Sequence, residues 1–288
     1  MKVALDSLYT SFNFPESALD PIQIVRRYEA LDDREVVAFI AAGLAFGRVA
    51  SVMASIEAVG AVLGPRPAAF VRRFDPNRDG ADLRRLVHRW TRGDDFVGLI
   101  WILHELTGRD GSLERTFASA LDPSAADVEA ALEAFSARAR DVDLRPAYGR
   151  RPRTPGAHYF FSRPSTGSAC KRLNLFLRWM VRRDAVDPGG WTSVPTRQLV
   201  VPLDTHTIRM GKCLRLTRRT TPGWKMAAEI TAALRAYDAD DPVRYDFALC
   251  HLSMMGACGF GTSRGSAQCP LHDHCRPRRA PRTRRRGR

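Results

Sequence analysis

Two short segments of the chain hold residues that could do chemistry at a sugar carbon. Lys171 supplies a primary amine at the start of a predicted helix, and an amine, unlike a guanidinium, can lose its proton and act as a nucleophile. Asp204 supplies a carboxylate at the start of a second predicted helix, directly after Pro202 and Leu203. We predict that Lys171 and Asp204 are the catalytic residues and that the fold brings these two helix starts together.

The segment before Lys171 is suited to binding a phosphate. Gly167, Ser168 and Ala169 are small, so the backbone there can approach a ligand closely. A chain that turns into a helix also presents several unpaired amide N–H groups, which favour an anion. On the predicted helix itself, one face carries a cationic stripe that consists of Lys171, Asn174, Arg178 and Arg182.

The scarcity of lysine gives Lys171 some further weight. The chain has 45 basic residues, and its only lysines are Lys2, Lys171, Lys212 and Lys225. Where arginine is the default cation, a lysine can be required for its amine. The other three lysines have no evident role, so this hint supports the motif and does not stand without it.

The order of these residues resembles a known superfamily. Gly-x-x-x-Lys-x-x-Asn, at positions 167 to 174, and the downstream Leu-Asp-Thr-His-x-x-Arg, at positions 203 to 209, resemble the helix-hairpin-helix (HhH-GPD) DNA glycosylases. The segments 32–35, 178–182 and 245–249 add a likeness to one uncharacterised bacterial branch, a domain of unknown function, so that the resemblance covers most of the chain.

Two features depart from the usual pattern of that superfamily. The hairpin sequence of the superfamily is normally Leu-Pro-Gly-Val-Gly. Residues 165–169 of this chain are Ser-Thr-Gly-Ser-Ala, so the second glycine is replaced. The separation between Lys171 and Asp204 is longer than in most members and is more similar to that of the archaeal 8-oxoguanine DNA glycosylases.

The resemblance implies an enzyme of base-excision repair that flips a damaged base out of double-stranded DNA and excises it, with an oxidised purine as one candidate. Lys171 takes the place of the Schiff-base lysine, which adds AP-lyase activity, and Asp204 that of the catalytic aspartate. The implied DNA-binding residues are Gly167, Ser168, Ala169, Asn174, Arg178, His206 and Arg209. For His206 and Arg209 a structural role is an equal alternative, and Trp179 is expected in the core.

Two other functions remain open at this stage. One is a non-enzymatic DNA-binding protein that kept the hairpin without the chemistry. The other is a monofunctional glycosylase in which Asp204 activates water and Lys171 only binds phosphate.

The charge of the chain also indicates nucleic acid. The formal net charge is +14, and eight arginines lie in the stretch 276–288, so the remainder carries +6. A basic body is typical of a protein that binds a polyanion. A solvated arginine-rich surface is the alternative explanation. We expect a monomer that binds damaged duplex DNA.

Location and cofactors can be considered from the apolar runs and the cysteines. The longest apolar run, 36–46, is too short to span a bilayer, and the N-terminus lacks a signal-peptide core. Six cysteines without a secretion signal favour the reducing cytoplasm. As a DNA-binding protein, the chain is expected to associate with the nucleoid there. No membrane partner is expected.

The last cysteines resemble a degenerate metal site. Iron–sulfur members of the superfamily end in Cys-x6-Cys-x2-Cys-x5-Cys. Cys269 and Cys275 match the last pair, Cys258 lies one residue too early, and Ser266 stands where another thiolate is needed. We predict no cofactor; the alternatives are an iron–sulfur cluster with Cys250 as a remote fourth ligand, or a zinc site completed by His272 or His274.

Periodicity predicts an all-α fold. The resemblance implies a two-lobed helical domain over 1–275, in which the N- and C-terminal helices form one lobe and the middle helices the other, followed by a disordered Arg/Pro-rich tail over 276–288. Residues 141–166 are predicted to form a basic, proline-punctuated loop. Helices are predicted to begin at Pro21, at Lys171 and just after Pro202. Others are predicted to cover 32–47, 48–63, 67–74, 81–90, 94–106, 112–121, 125–140, 222–237 and 242–256.

Overall fold

The protein has an all-α fold, as the sequence predicts. The computed structural model describes residues 1–17, 19–256 and 269–275; the predicted tail and Cys258 lie outside the described residues. The α-helices of the described part are α1 Lys2–Phe12, α2 Ile22–Val25, α3 Leu31–Leu44, α4 Val49–Leu63, α5 Pro67–Arg72, α6 Gly80–Leu83, α7 Asp94–Asp110, α8 Leu113–Ala118, α9 Glu129–Arg140, α10 Arg145–Tyr148, α11 Lys171–Val181, α12 Thr205–Cys213, α13 Trp224–Arg235 and α14 Asp246–Met254.

Short elements connect these helices. Strands β1 (Val87–His88) and β2 (Thr91–Arg92) form an antiparallel hairpin, with Val87 opposite Arg92 and His88 opposite Thr91. Turns of 3-10 helix occur at Gly156–Phe160, Pro164–Thr166, Thr196–Gln198, Pro242–Tyr245 and His272–His274. In the parts of the chain that the structure describes, no helix combines the length and apolar character that crossing a membrane requires.

The structure corrects several of the predicted boundaries. The helix predicted over 81–90 is wrong: α6 ends at Leu83 and the hairpin follows, with Arg89 in the left-handed region at φ 55°. Strands of two residues are too short to show an alternating pattern. The stretch 141–166, predicted as a loop, contains α10 and two 3-10 turns, and α1 is an addition to the predicted helices.

The core is centred on α3 and α11, which pack along each other. Phe39 of α3 contacts Phe176 of α11 edge to face at 5.1 Å between ring centroids, and stacks on Phe161 at 5.2 Å. Phe135 of α9 closes the same cluster. Trp179 is fully buried, which confirms its predicted place in the core.

The acidic residues at the start of α3 accept hydrogen bonds from the N-termini of other helices and do not cap α3 itself. The sequence predicts that residues 32–35 cap α3, yet its N-cap is Ala30, which makes no side-chain cap. Asp33 instead accepts from the N–H of Ala68 in α5 at 2.8 Å. Glu35, which is buried, accepts from the N–H groups of Leu113 and Glu114 at 2.8 and 2.9 Å and thereby caps α8.

Because α11 lies at the centre, its polar face is buried as well. Arg178 forms ion pairs with Asp246 at 2.8 Å and Asp187 at 3.2 Å. Arg182 pairs with Asp184 at 2.8 Å, with Asp241 at 3.0 Å and also with Asp187. Two of the four residues of the predicted cationic stripe, Arg178 and Arg182, therefore belong to an internal charge network rather than to an exposed surface.

Candidate active site

One cavity of about 670 Å³ receives residues from both predicted motif segments. Its walls come from the end of α3, the turn before α11, the starts of α11 and α12, and α14. Lys171 and Asp204 both line it. The fold thus brings together the amine and the carboxylate that sequence spacing selected.

Lys171 is the first residue of α11 and is half-buried. Its N-cap, Cys170, adopts the left-handed conformation at φ 48°. The Lys171 Nζ donates a hydrogen bond of 2.7 Å to the carbonyl oxygen of Ala45, the C-cap of α3. A carbonyl at a helix end has no intrahelical partner, so this bond satisfies it and holds the amine in one position.

Asp204 is the N-cap of α12 and its carboxylate is fixed on both sides. Its Oδ1 accepts from the N–H groups of His206 and Thr207, each at 2.8 Å. Its Oδ2 accepts from the thiol of Cys250 on α14 at 3.5 Å. An aspartate at an N-cap is the expected local structure for this sequence. Here the cap also aims the carboxyl group at the cavity.

The turn of residues 164–170 precedes α11. Gly167 is exposed with φ 79°, a conformation that favours glycine, and its N–H donates to the Pro164 carbonyl at 2.8 Å. Within the described residues, the N–H groups of Ser168 and Ala169 meet no acceptor. Gly223, at the start of α13, packs so closely that a Cβ there would lie 2.7 Å from the Gly167 oxygen.

Comparison with known protein families identifies the family of this chain. Residues 20–255 match the family described as a protein of unknown function (DUF2400), which is more than three quarters of the chain. The protein is a member of the DUF2400 family. Every residue that lines the cavity lies inside the matched range. No curated protein and no solved structure matches the chain.

His206 and Arg209 of this DUF2400 protein occupy different positions on α12. His206 is half-buried, lines the cavity, and its Nδ1 lies 2.9 Å from the Ser253 hydroxyl of α14. Arg209 is exposed one turn further along, outside the cavity wall. The cavity therefore brings His206, and not Arg209, to Lys171 and Asp204.

Arg178 and Asn174 lie on the inner face of α11. Both are predicted DNA contacts, and both are buried. Burial alone lowers the pKa of Arg178, but the carboxylates of Asp187 and Asp246 outweigh that effect and raise it. The Arg178 guanidinium is buried and paired, and Arg178 also lines the cavity, so its contact with DNA stays a prediction. Asn174 donates from Nδ2 to the Ala169 carbonyl at 3.1 Å and so supports the turn from inside.

A second carboxylate, Asp246, lies behind Asp204 in the cavity wall and was not selected as a site residue. Burial raises the pKa of Asp246 to about 6, with a further increase from Asp204 and an opposing effect from Arg178. The Thr207 hydroxyl lies 3.4 Å from its Oδ1. Asp246 lies in the segment 245–249, which contributes to the likeness to the uncharacterised bacterial branch. That likeness was the sequence signal that could have identified Asp246 as a site residue.

Cys250 is the other site residue that sequence reasoning treated differently. It was considered as a remote metal ligand, yet it lies beside Asp204. Burial raises the pKa of the Cys250 thiol well above its usual value, and the nearby Asp204 adds to the increase. The thiol is therefore protonated at neutral pH and acts as a hydrogen-bond donor.

The cysteines that resemble a degenerate metal site are only partly described. Cys269 is buried and Cys275 half-buried, while Cys258 lies outside the described residues. Among the residues that the structure describes, no three His, Cys, Asp or Glu side chains are arranged to hold a metal ion. Whether these residues bind an iron–sulfur cluster or zinc is untested, and the absence of a cofactor stays a prediction.

Proposed function

We propose that this protein is a DNA N-glycosylase with AP-lyase activity that acts on damaged double-stranded DNA in base-excision repair. The observation that carries the proposal is that Lys171 and Asp204, 33 positions apart in sequence, line one cavity. The resemblance to helix-hairpin-helix glycosylases assigns a role to each of these residues. A cavity of about 670 Å³ also has room for a flipped nucleotide.

Asp204 would stabilise the positive charge that develops on the sugar as the base departs. Oxocarbenium-like charge beside a carboxylate is the same principle that glycoside hydrolases use. Two backbone N–H groups hold Oδ1, while among the described residues Oδ2 accepts only from a weak thiol donor. Oδ2 consequently retains capacity to face the sugar or to accept a proton.

Lys171 would act as the nucleophile. Its neutral amine attacks the anomeric carbon, the bond from that carbon to the base nitrogen breaks, and the base leaves with the electron pair and takes up a proton. The amine must first lose a proton, and Asp204 is a carboxylate in the same cavity that can accept it. Opening of the sugar ring then gives a Schiff base, from which the 3′ phosphate is eliminated.

The turn of residues 164–170 would position the DNA. The N–H groups of Ser168 and Ala169 are available to a phosphate oxygen, next to Lys171. Phosphate contacts of this kind fix the register of the protein on DNA and do not read sequence. The net charge of +14 supports an attraction to DNA, which would place the protein at the nucleoid.

Borohydride trapping on a panel of lesion-bearing duplexes tests the proposal, beginning with 8-oxoguanine. We expect a covalent protein–DNA adduct with the parent protein that disappears in Lys171→Ala and in Lys171→Arg. Lys225→Arg is the matched control, because Lys225 is exposed on α13 and does not line the cavity.

The other outcomes identify the alternatives. Base release without a trapped adduct would indicate a monofunctional glycosylase that uses Asp204 and water. Tight DNA binding with neither base release nor trapping, across the whole panel, would indicate a DNA-binding protein and overturn the proposed activity.

A further inference from the structure

Three aromatic rings form a cluster at the mouth of the cavity, which we call the aromatic wall: Phe46, Trp90 and Tyr159. Phe46 stacks on Trp90 with 4.7 Å between centroids. Tyr159 meets Phe46 at 5.6 Å and Trp90 at 5.4 Å, edge to face in both pairs. Phe46 and Tyr159 line the cavity, and Trp90 continues the wall outward. Trp90 is 53% exposed and Tyr159 37%, so this side of the cluster faces solvent.

Two arginines accompany these rings. The Arg89 guanidinium lies 5.4 Å from the centre of the Trp90 ring, and that of Arg172 lies 3.4 Å from the centre of Tyr159. Burial lowers the pKa of Arg172 to about 10. In the described part of the chain no carboxylate pairs with either guanidinium. The Arg172 Nη2 donates to the Tyr159 carbonyl, and its buried Nη1 has no acceptor. The wall therefore combines aromatic faces with positive charge that the protein does not neutralise.

The wall is held in place by the elements behind it. His88 of β1 joins the hairpin to α4 and to the loop that follows α3, since its Nδ1 lies 2.8 Å from the Ser55 hydroxyl of α4 and its Nε2 lies 3.3 Å from the Phe46 carbonyl. His88 is buried. Trp90 sits at the tip of this hairpin. A surface that is ordered before binding loses little conformational entropy when a ligand arrives.

We propose that the aromatic wall binds an unpaired nucleobase, so that the protein prefers DNA whose bases are unstacked beside the cavity over fully paired duplex. This inference rests on the proposed function for its choice of DNA as the ligand. Stacking on an aromatic side chain requires a free base face, and in a paired duplex both faces of each base are covered by its neighbours. Aromatic side chains next to cations are the usual means of binding unpaired nucleic acid strands.

The charge distinguishes this occupant from an apolar protein segment. An apolar partner would cover Trp90 but would also bury the exposed Arg89 without a counter-charge, which is costly. A nucleotide supplies both a π face for the rings and a phosphate for the guanidinium groups.

Fluorescence anisotropy with undamaged labelled DNA tests the inference. The two ligands are a duplex with a three-base central bubble and a fully paired duplex of the same length. We expect the parent protein to bind the bubble more tightly. Trp90→Leu should weaken binding to the bubble by about 5- to 150-fold, the range expected for loss of one stacked base, and should change binding to the paired duplex little.

Matched variants separate stacking from folding. Trp90→Phe keeps an aromatic face and should retain most of the preference. Phe14→Leu removes another exposed aromatic residue, one that lies outside the wall, and should behave like the parent. Arg89→Ala should weaken binding to the bubble, whereas Arg85→Ala, where the arginine pairs with Asp82, should not.

Equal affinity of the parent protein for the two duplexes would overturn the inference, as would a Trp90→Leu loss that is the same on both. Because this DNA carries no lesion, the result does not depend on base release. A preference for the bubble without base release on any lesion would support base binding by the aromatic wall and would overturn the proposed glycosylase activity. Base release without a preference for the bubble would support the glycosylase activity and overturn base binding by the wall. No binding to either duplex would overturn both proposals.

Discussion

The carboxylate of Asp204 and the thiol of Cys250 are joined across α12 and α14 by a hydrogen bond from Sγ to Oδ2 of 3.5 Å. The thiol stays protonated because burial, and then the negative charge of Asp204, raise its pKa. Cys250 therefore acts as a positioning residue for a carboxylate whose other oxygen is held by the start of α12.

Cys250→Ala should slow base release while lesion binding is unchanged. Loss of one hydrogen bond to the carboxylate corresponds to about 1 kcal/mol, or roughly fivefold in rate. Cys250→Ser restores a donor and should recover the parent rate in a single-turnover assay. If the serine variant is as slow as the alanine variant, the thiol does not act as a donor. Cys213→Ala, on α12 but outside the cavity wall, is the control.

Asp204→Asn should abolish most base release with little change in affinity for the lesion. A residue that stabilises charge only in the transition state affects the chemical step more than binding. Asparagine is also a good N-cap, so α12 should keep its start and the free energy of unfolding should fall only slightly. Single-turnover base release and equilibrium binding on one duplex measure the two quantities. Release at the parental rate by the folded variant would show that the proposed active site is wrong.

Arg178→Ala should destabilise the protein by about 3–5 kcal/mol, because it leaves the buried carboxylates of Asp187 and Asp246 without this partner. Chemical denaturation measures the loss. Arg85→Ala removes an exposed arginine and should change the free energy of unfolding by less than about 0.5 kcal/mol. A variant at Arg178 with the parental stability but weakened DNA binding would restore the surface role that burial argues against.

The pH dependence of stability should report the protonation of Asp246. Its pKa is about 6 in the folded protein, compared with 3.8 as the reference. Between these values the folded state binds more protons than the unfolded state, so this group destabilises the protein progressively as the pH rises from about 4 to 6.

Asp246→Asn mimics the neutral carboxyl group and isolates that contribution. The difference in unfolding free energy between the variant and the parent should move in favour of the variant by roughly 2–3 kcal/mol between pH 4 and pH 7. Using the difference removes the opposite contribution of carboxyl groups such as Asp184, whose pKa is lowered. A difference that does not change with pH would mean that Asp246 titrates at an ordinary value.

Interactions within a few residues were predictable from the sequence. The all-α fold follows from helical periodicity, and Asp204 begins α12 because its side chain caps N–H groups two and three residues ahead. The turn at Gly167 and the helix start at Lys171 likewise depend on neighbours in the chain. These features placed an amine and a carboxylate at two helix starts without reference to the rest of the molecule.

Interactions between distant segments were decided by the tertiary structure. Periodicity showed that Arg178 and Arg182 share a face of α11, but that face meets carboxylates from elsewhere in the chain, as far along as Asp246. Glu35 resembles a cap for its own helix and instead caps α8. Packing alone determines which segments meet, and so it alone brought Cys250 to Asp204 and the three rings of the aromatic wall to the mouth of the cavity.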